Sequence, residues 1–186
     1  MTCALVLAAG AGERFGGPKQ LAIFRGRPLL EHALLATAAL PTVVVLGAHA
    51  EAVPERVPLH GARAVVCADW AEGQAASLRA GVAALEADCE AAVVVLGDQP
   101  LISPEAVARV AAASGPAARA TYAGVPGHPI RLGRELFARV SELTGDEGAR
   151  RLLGQLEVRE VPCDGLGSPV DVDTPEALDA LTRRLC

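Results

Sequence analysis

Aromatic side chains are scarce in this chain. Three Phe, one Trp and one Tyr make up 3% of 186 residues, although 51% of the residues are hydrophobic. A core with so few rings must be built from Val, Leu, Ile and Ala, a composition that suits parallel strands covered by helices on both faces. An excess of positive charge is also missing: the formal net charge is −5 and the isoelectric point about 5.4. That balance argues against a nucleic-acid backbone as the main partner. Small anions stay open, because backbone N–H groups and a few local cations can hold them. No apolar run reaches the ~18 residues of a membrane span, and no basic segment precedes the first apolar stretch as in a signal peptide. No cysteine pair has C-x-x-C spacing. Cys3, Cys67, Cys89, Cys163 and Cys186 are odd in number, and they read as reduced thiols acting as small hydrophobes. The expectation is a cytoplasmic protein with no membrane and no nucleic-acid partner.

What is present is a regular alternation. Short apolar runs at 3–8, 42–47, 64–67 and 91–96 read as strands, the last of them central. Amphipathic stretches at 28–40 and 74–87 read as helices. Residues 50–62 are broken by Pro54 and Pro58. Ser103-Pro104-Glu105 and Thr174-Pro175-Glu176 each place a capping hydroxyl, a first-turn proline and an acid at a helix start. Residues 134–143 and 146–156 read as helical, and 118–123 and 157–162 as strands. The alternation predicts one α/β domain over 1–186: three layers, doubly wound, around a mostly parallel sheet. Ligands of such sheets sit beyond the carboxyl ends of the strands. The segments expected there are 9–20, 70–77, 97–100, 124–130 and 165–173.

The first of these loops carries four glycines between Gly10 and Gly17, flanked by Arg14 and Lys19. Plain βα turns need only ~2–6 residues. Glycines let backbone N–H groups converge on a phosphate, and the cations add charge-assisted bonds. Two familiar motifs fail here. A dinucleotide fingerprint has Phe15 where its third glycine belongs, and Glu31, the acid nearest the required distance, lies inside a helix. The P-loop spacing from Gly12 to Gly17 is followed by Pro18 before Lys19, with no Ser or Thr after it.

Downstream, the apolar strand ending at Leu96 runs into Gly97-Asp98-Gln99-Pro100. Asp98 at a strand's carboxyl end can serve a hard cation or make an Asx turn before the proline. In Asp171-Val172-Asp173, alternation puts both acids on one face, and Asp173 can equally be a helix N-terminal charge. Gly73 permits close approach of a ligand, Ser77 near a helix start can bond one, and Trp70 can cover it or pack a loop. Asp146 can cap a helix, while Gly145 and Gly148 offer N–H groups. His128, between Gly127 and Pro129, bonds a ligand or fixes a turn.

The string Leu7-Ala8-Ala9-Gly10-x-Gly12-x-Arg14-Phe15-Gly16-x-x-Lys19 resembles the signature of the MobA-like nucleotidyltransferases, and within them the molybdenum cofactor cytidylyltransferases. The turn at 97–100 and the segment 171–176 resemble the same family, so the matches run from residue 7 to residue 176. The resemblance implies the Rossmann-like nucleotidyltransferase fold. It implies that Ala8, Ala9, Gly10 and Gly12 wrap an NTP triphosphate, with Arg14 and Lys19 neutralising it. It implies that Mg2+, or Mn2+ in its place, is held by Asp98 with Asp171 or Asp173, the latter favoured. Gly73 and Ser77 would lie against the nucleoside, and Gly127, His128, Gly145 and Asp146 against a molybdopterin-type phosphorylated acceptor. Alanine at position 9 favours CTP over GTP. A recipient molybdoenzyme or its chaperone would be the further partner. Competing readings are a guanylyltransferase for molybdenum cofactor or phospholactate, an NAD(P)H-dependent reductase of the nicotine blue type, and a non-catalytic carrier of cofactor.

Overall fold

The computed structural model describes residues 1–185, the side chain of Glu147 excepted; Cys186, read above as a free thiol, lies outside the described residues. The elements follow in chain order. β1 (Thr2–Ala8) is followed by the glycine-rich loop, which contains two single-turn 3-10 helices, Glu13–Phe15 and Lys19–Leu21. Next come the strands β2 (Ile23–Phe24) and β3 (Arg27–Pro28), α1 (Leu29–Thr37), β4 (Thr42–Leu46), α2 (Ala52–Arg56) and β5 (Arg63–Val66). The middle of the chain forms α3 (Gln74–Ala83), β6 (Ala91–Leu96), α4 (Pro104–Ala111), β7 (Ala117–Tyr122) and β8 (Val125–Gly133). It ends with α5 (Phe137–Val140), α6 (Ala149–Leu153), β9 (Arg159–Pro162) and α7 (Pro175–Arg184).

Seven strands form one sheet in the order β5-β4-β1-β6-β8-β7-β9, with β6 in the middle. β1 pairs in parallel with β4 and β6, β4 with β5, and β7 with β9. β8 alone runs against its neighbours, β6 and β7. Alternate side chains of each strand enter opposite layers. Leu5, Leu7, Val43, Val45, Ala92 and Val94 pack under α3, α5 and α6. Val6, Ala8, Val44, Leu46, Val93 and Val95 pack under α1, α2 and α4. This is the three-layer, mostly parallel α/β sheet expected from the composition. α7 lies elsewhere, where Leu181 joins Phe24, Leu29 and Val172 in a separate small cluster. Both capping signals are used: the Ala106 N–H donates to Ser103 Oγ at 3.1 Å, and the Ala177 N–H to Thr174 Oγ1 at 3.2 Å.

Two expectations are corrected, and a third is kept with an added detail. Residues 124–130, expected as a segment beyond the strand ends, form most of a strand, β8, joined to β7 by a tight turn at Ala123 and Gly124, both with positive φ. Two prolines and a glycine in Val125-Pro126-Gly127-His128-Pro129 disguise the strand, and the ladder tolerates them through a register shift between Arg119 and Ala120. The helices read at 134–143 and 146–156 are each broken, leaving α5 and α6 of four and five residues behind short 3-10 turns. Residues 50–62 are broken as expected but keep one helical turn and a half, α2.

Candidate active site

The loop after β1 is shaped by what happens to its carbonyls. Gln20 Nε2 donates to Ala8 O at 2.9 Å and to Gly10 O at 2.8 Å. The Ala48 N–H donates to Ala9 O at 3.0 Å, and His49 Nε2 to Ala11 O at 2.8 Å. Gly12 O accepts from the N–H groups of Phe15 and Gly17. Five consecutive carbonyls are thus tied back to protein donors, so the polar groups left for a ligand are N–H groups, the arrangement that binds anions. Gly12 has φ +72°, and a Cβ there would run into the Gly17 carbonyl. The curl of the loop therefore depends on glycine at that position.

Lys19, set by the second 3-10 turn, reaches across the carboxyl end of β6. Its Nζ donates to Asp98 Oδ2 at 2.5 Å and to Asp173 Oδ1 at 2.9 Å, while Arg14 Nη2 lies 3.0 Å from Asp173 Oδ2. Burial pulls the Lys19 ammonium down, but the Asp98 and Asp173 carboxylates outweigh it and hold its pKa above the ordinary 10.5. Burial likewise acts upward on Asp173, and the bonds and charge of Lys19 and Arg14 reverse it, leaving that carboxyl below its usual range. Asp173 is delivered by the segment before α7, which is laid along the turn after β6. Ser168 N donates to Leu101 O at 3.1 Å, Val172 N to Asp98 O at 3.0 Å, and Ile102 bridges to Gly167.

Two clefts open at this edge of the sheet. The first, of about 460 Å³, is lined by Ala8, Ala9, Gly10, Gly12, Arg14, Lys19, Trp70, Gly73, Ser77, Asp98 and Asp173 among others. The second, of about 630 Å³, is lined by Gln99, Arg119, Gly127, His128, Arg150 and Asp171 among others. Leu7, Gln74, Leu96 and Asp146 line both, so the clefts adjoin. The structure thus brings together Arg14, Lys19, Asp98 and Asp173 at bonding distance, and puts the loop residues, Gly73 and Ser77 around them. Asp171 and Asp173 flank the buried Val172, as alternation expects, but they take different partners. The segment there forms no regular strand, and Asp171 is held by Gln99, whose Nε2 donates to its Oδ1 at 2.7 Å and to Pro169 O at 3.1 Å. Burial raises the Asp171 carboxyl, against the Gln99 bond, and the charges of Asp98 and Asp173 add to the rise.

Gly145 lines neither cleft; its backbone packs against Gly73, where a Cβ would also strike Asp146. Asp146 caps no helix, since α6 starts after Gly148 without a side-chain cap. His128 lies in β8 at the second cleft, and its backbone carbonyl accepts from Tyr122 Oη at 3.0 Å. Loss of water and the nearby Arg150 guanidinium lower the imidazole pKa to about 4, so it is neutral at physiological pH. Glu31 lies away from both clefts, where it accepts from Arg27 Nη1 at 2.8 Å and from His60 at 3.0 Å. Gln20 and Gln99 had no assigned role in the sequence, yet both are nearly fully buried and organise the two walls.

The donor set suits a hard divalent ion only in part. Asp98 Oδ1 is buried with no hydrogen-bond partner, and Asp98 and Asp173 both offer carboxylate oxygen. Among the described residues, no group of three or more His, Cys, Asp or Glu side chains could hold a metal ion. One or two carboxylates completed by phosphate oxygens and water is the usual magnesium arrangement, and the two aspartates fit it.

The chain is 37% identical over 190 residues to the nicotine blue oxidoreductase of Paenarthrobacter nicotinovorans, covering 94% of this chain and 93% of that one. It is 37% identical over 142 residues to the purine catabolism protein PucB of Bacillus subtilis, covering 74% and 67% of the two chains. The crystal structure of Rv0371c from Mycobacterium tuberculosis superposes with a TM-score of 0.88 at 34% identity, covering 98% and 97%. The same protein in complex with manganese gives 0.82 at 32%, covering 98% of each chain. No helix among the described residues is long and apolar enough to cross a membrane. The MobA-like NTP transferase domain matches residues 4–161, and the chain belongs to that family of nucleotidyltransferases.

Proposed function

We propose that the chain transfers CMP from CTP to the terminal phosphate of a molybdopterin-type cofactor and releases pyrophosphate. The observation that carries this reading is the pair of adjoining clefts. One holds a loop whose carbonyls from Ala8 to Gly12 are bonded to protein donors, beside two cations and two carboxylates; the other is roomier and bears Arg119 and Arg150. The first suits a triphosphate and the second a phosphorylated acceptor. An oxygen of the acceptor phosphate would attack the α-phosphorus as the bond to the β-phosphate oxygen breaks. That phosphate is already anionic at neutral pH, so the chain needs no general base. Loop N–H groups, Lys19 and Arg14 would hold the triphosphate and neutralise charge on the departing pyrophosphate. Asp98 and Asp173 would hold the divalent ion, whose part is Lewis-acid neutralisation of phosphate oxygens. The neutral His128 would face the acceptor without adding charge. Ala9, which lines the first cleft, supports CTP over GTP.

Pyrophosphate release with Mg2+, a molybdopterin-type acceptor and each NTP tests the proposal. CTP should support turnover, GTP much less, and Asp98→Ala none while retaining the wild-type fold by circular dichroism. A GTP preference would refute the cytidylyl assignment. The name of the Paenarthrobacter relative gives weight to a second reading, NAD(P)H-dependent reduction of a pigment. The loop's third glycine is out of place for a dinucleotide, and Glu31 is held by Arg27 and His60 instead of facing a ribose. Oxidation of NAD(P)H by the purified protein, followed at its absorbance band, separates the two.

A further inference from the structure

Lys19 is the one lysine in a chain with sixteen arginines. It stands between the two carboxylates best placed for a divalent ion, 2.5 Å from Asp98 Oδ2 and 2.9 Å from Asp173 Oδ1, and only 16% of its side chain is exposed. Arg14 covers the other Asp173 oxygen. Two cations and two carboxylates make a neutral quartet. An ion held by both aspartates would compete with the ammonium for the same pair of carboxylates, and the two positive charges would repel. A triphosphate in the same cleft offers the ammonium other anionic oxygens, within the sweep of a flexible four-carbon stem. A compact point charge on such a stem can change partners where a planar guanidinium fork would be less free.

We infer that Lys19 is the exchange element of the site. It leaves Asp98 and Asp173 for the phosphates when nucleotide binds, and so clears the place for the divalent ion. Nucleotide and metal are then positively coupled through one side chain, and the coupling is reciprocal. This rests on the nucleotidyl-transfer reading of the first cleft and adds an order to it: nucleotide admits the metal.

Mn2+ binding, read by electron paramagnetic resonance, tests the inference without turnover. The proteins are wild type and Lys19→Gln, each with and without a CTP analogue carrying a methylene bridge between the α- and β-phosphorus. Lys19→Gln should bind Mn2+ alone roughly 10-fold tighter or more than wild type, within the span of ordinary site-to-site coupling. The analogue should then add less to Mn2+ affinity in the variant than in wild type. If the variant binds Mn2+ alone no tighter than wild type, while wild type with the analogue binds it well, the exchange role is overturned and the transfer reading stands. If wild type binds no Mn2+ even with the analogue, both fall. Should the variant melt early, reductive 13C-methylation of wild type gives a single lysine resonance. That resonance must shift on adding the analogue in EDTA; an unmoved signal overturns the inference.

Discussion

At the scale of single residues, identical chemistry is put to different uses by its surroundings. Asp171 and Asp173 are two positions apart, yet one pairs with an amide and the other with an ammonium and a guanidinium. Glu31 shows the same dependence. Neighbouring side chains cover it, which alone would raise its pKa, but the bonds from His60 and Arg27 outweigh that and lower it below 4.5. A depressed carboxylate contributes stability that is present above the unfolded pKa and is lost as pH falls through the folded value. Glu31→Gln should therefore melt earlier than wild type at neutral pH, by about 1–2 kcal/mol for the lost charged bonds, with turnover of CTP unchanged. Melting curves at successively lower pH should show the gap closing below the carboxylate range. A gap that persists in acid would assign the loss to packing.

At the scale of elements, the glycine loop separates two jobs that composition alone cannot. A Cβ at Gly10 would meet nothing within 4 Å, whereas one at Gly12 would meet the Gly17 carbonyl at a positive φ. Gly10→Ala should keep the wild-type melting temperature and lose CTP affinity, because the added methyl stands in the ligand's space. Gly12→Ala should lose both, with about 1–2 kcal/mol of strain from the left-handed backbone. Calorimetric titration with CTP alongside thermal melts checks the contrast, and equal melting temperatures for the two variants would contradict it. The loop could be read from sequence because phosphate binding needs glycines and cations close together along the chain. β8 could not, because Pro126, Gly127 and Pro129 carry loop chemistry inside a strand. The roles of Gln20 and Gln99 were hidden as well. A buried glutamine next to a motif leaves no periodic trace, and its partners, the carbonyls at 8 and 10 and the segment at 169–171, are named only by the folded backbone.

At the scale of the whole molecule, the layered and mostly parallel sheet follows from the alternation of strands and helices, its strand order does not, and both clefts lie where the parallel strands end. What alternation cannot supply is the path of residues 163–174, which form no regular element yet carry Asp173 to Lys19. Ligand in the first cleft would draw on all these parts at once, so its effect should reach global stability. CTP with Mn2+ at about 100 times its dissociation constant should add about 2.7 kcal/mol, which raises the melting temperature of a chain this size by roughly 5–10 °C. Thermal shift assays with CTP, GTP and ATP measure this, and an equal shift for all three would argue against selectivity for the cytosine base. Lys19 and Asp173 are 154 positions apart. During synthesis the ribosome must extrude nearly the entire domain before the loop meets its last carboxylate. A growing or prematurely ended polypeptide can lay down its central strands, but it lacks one of the two aspartates that would anchor the metal.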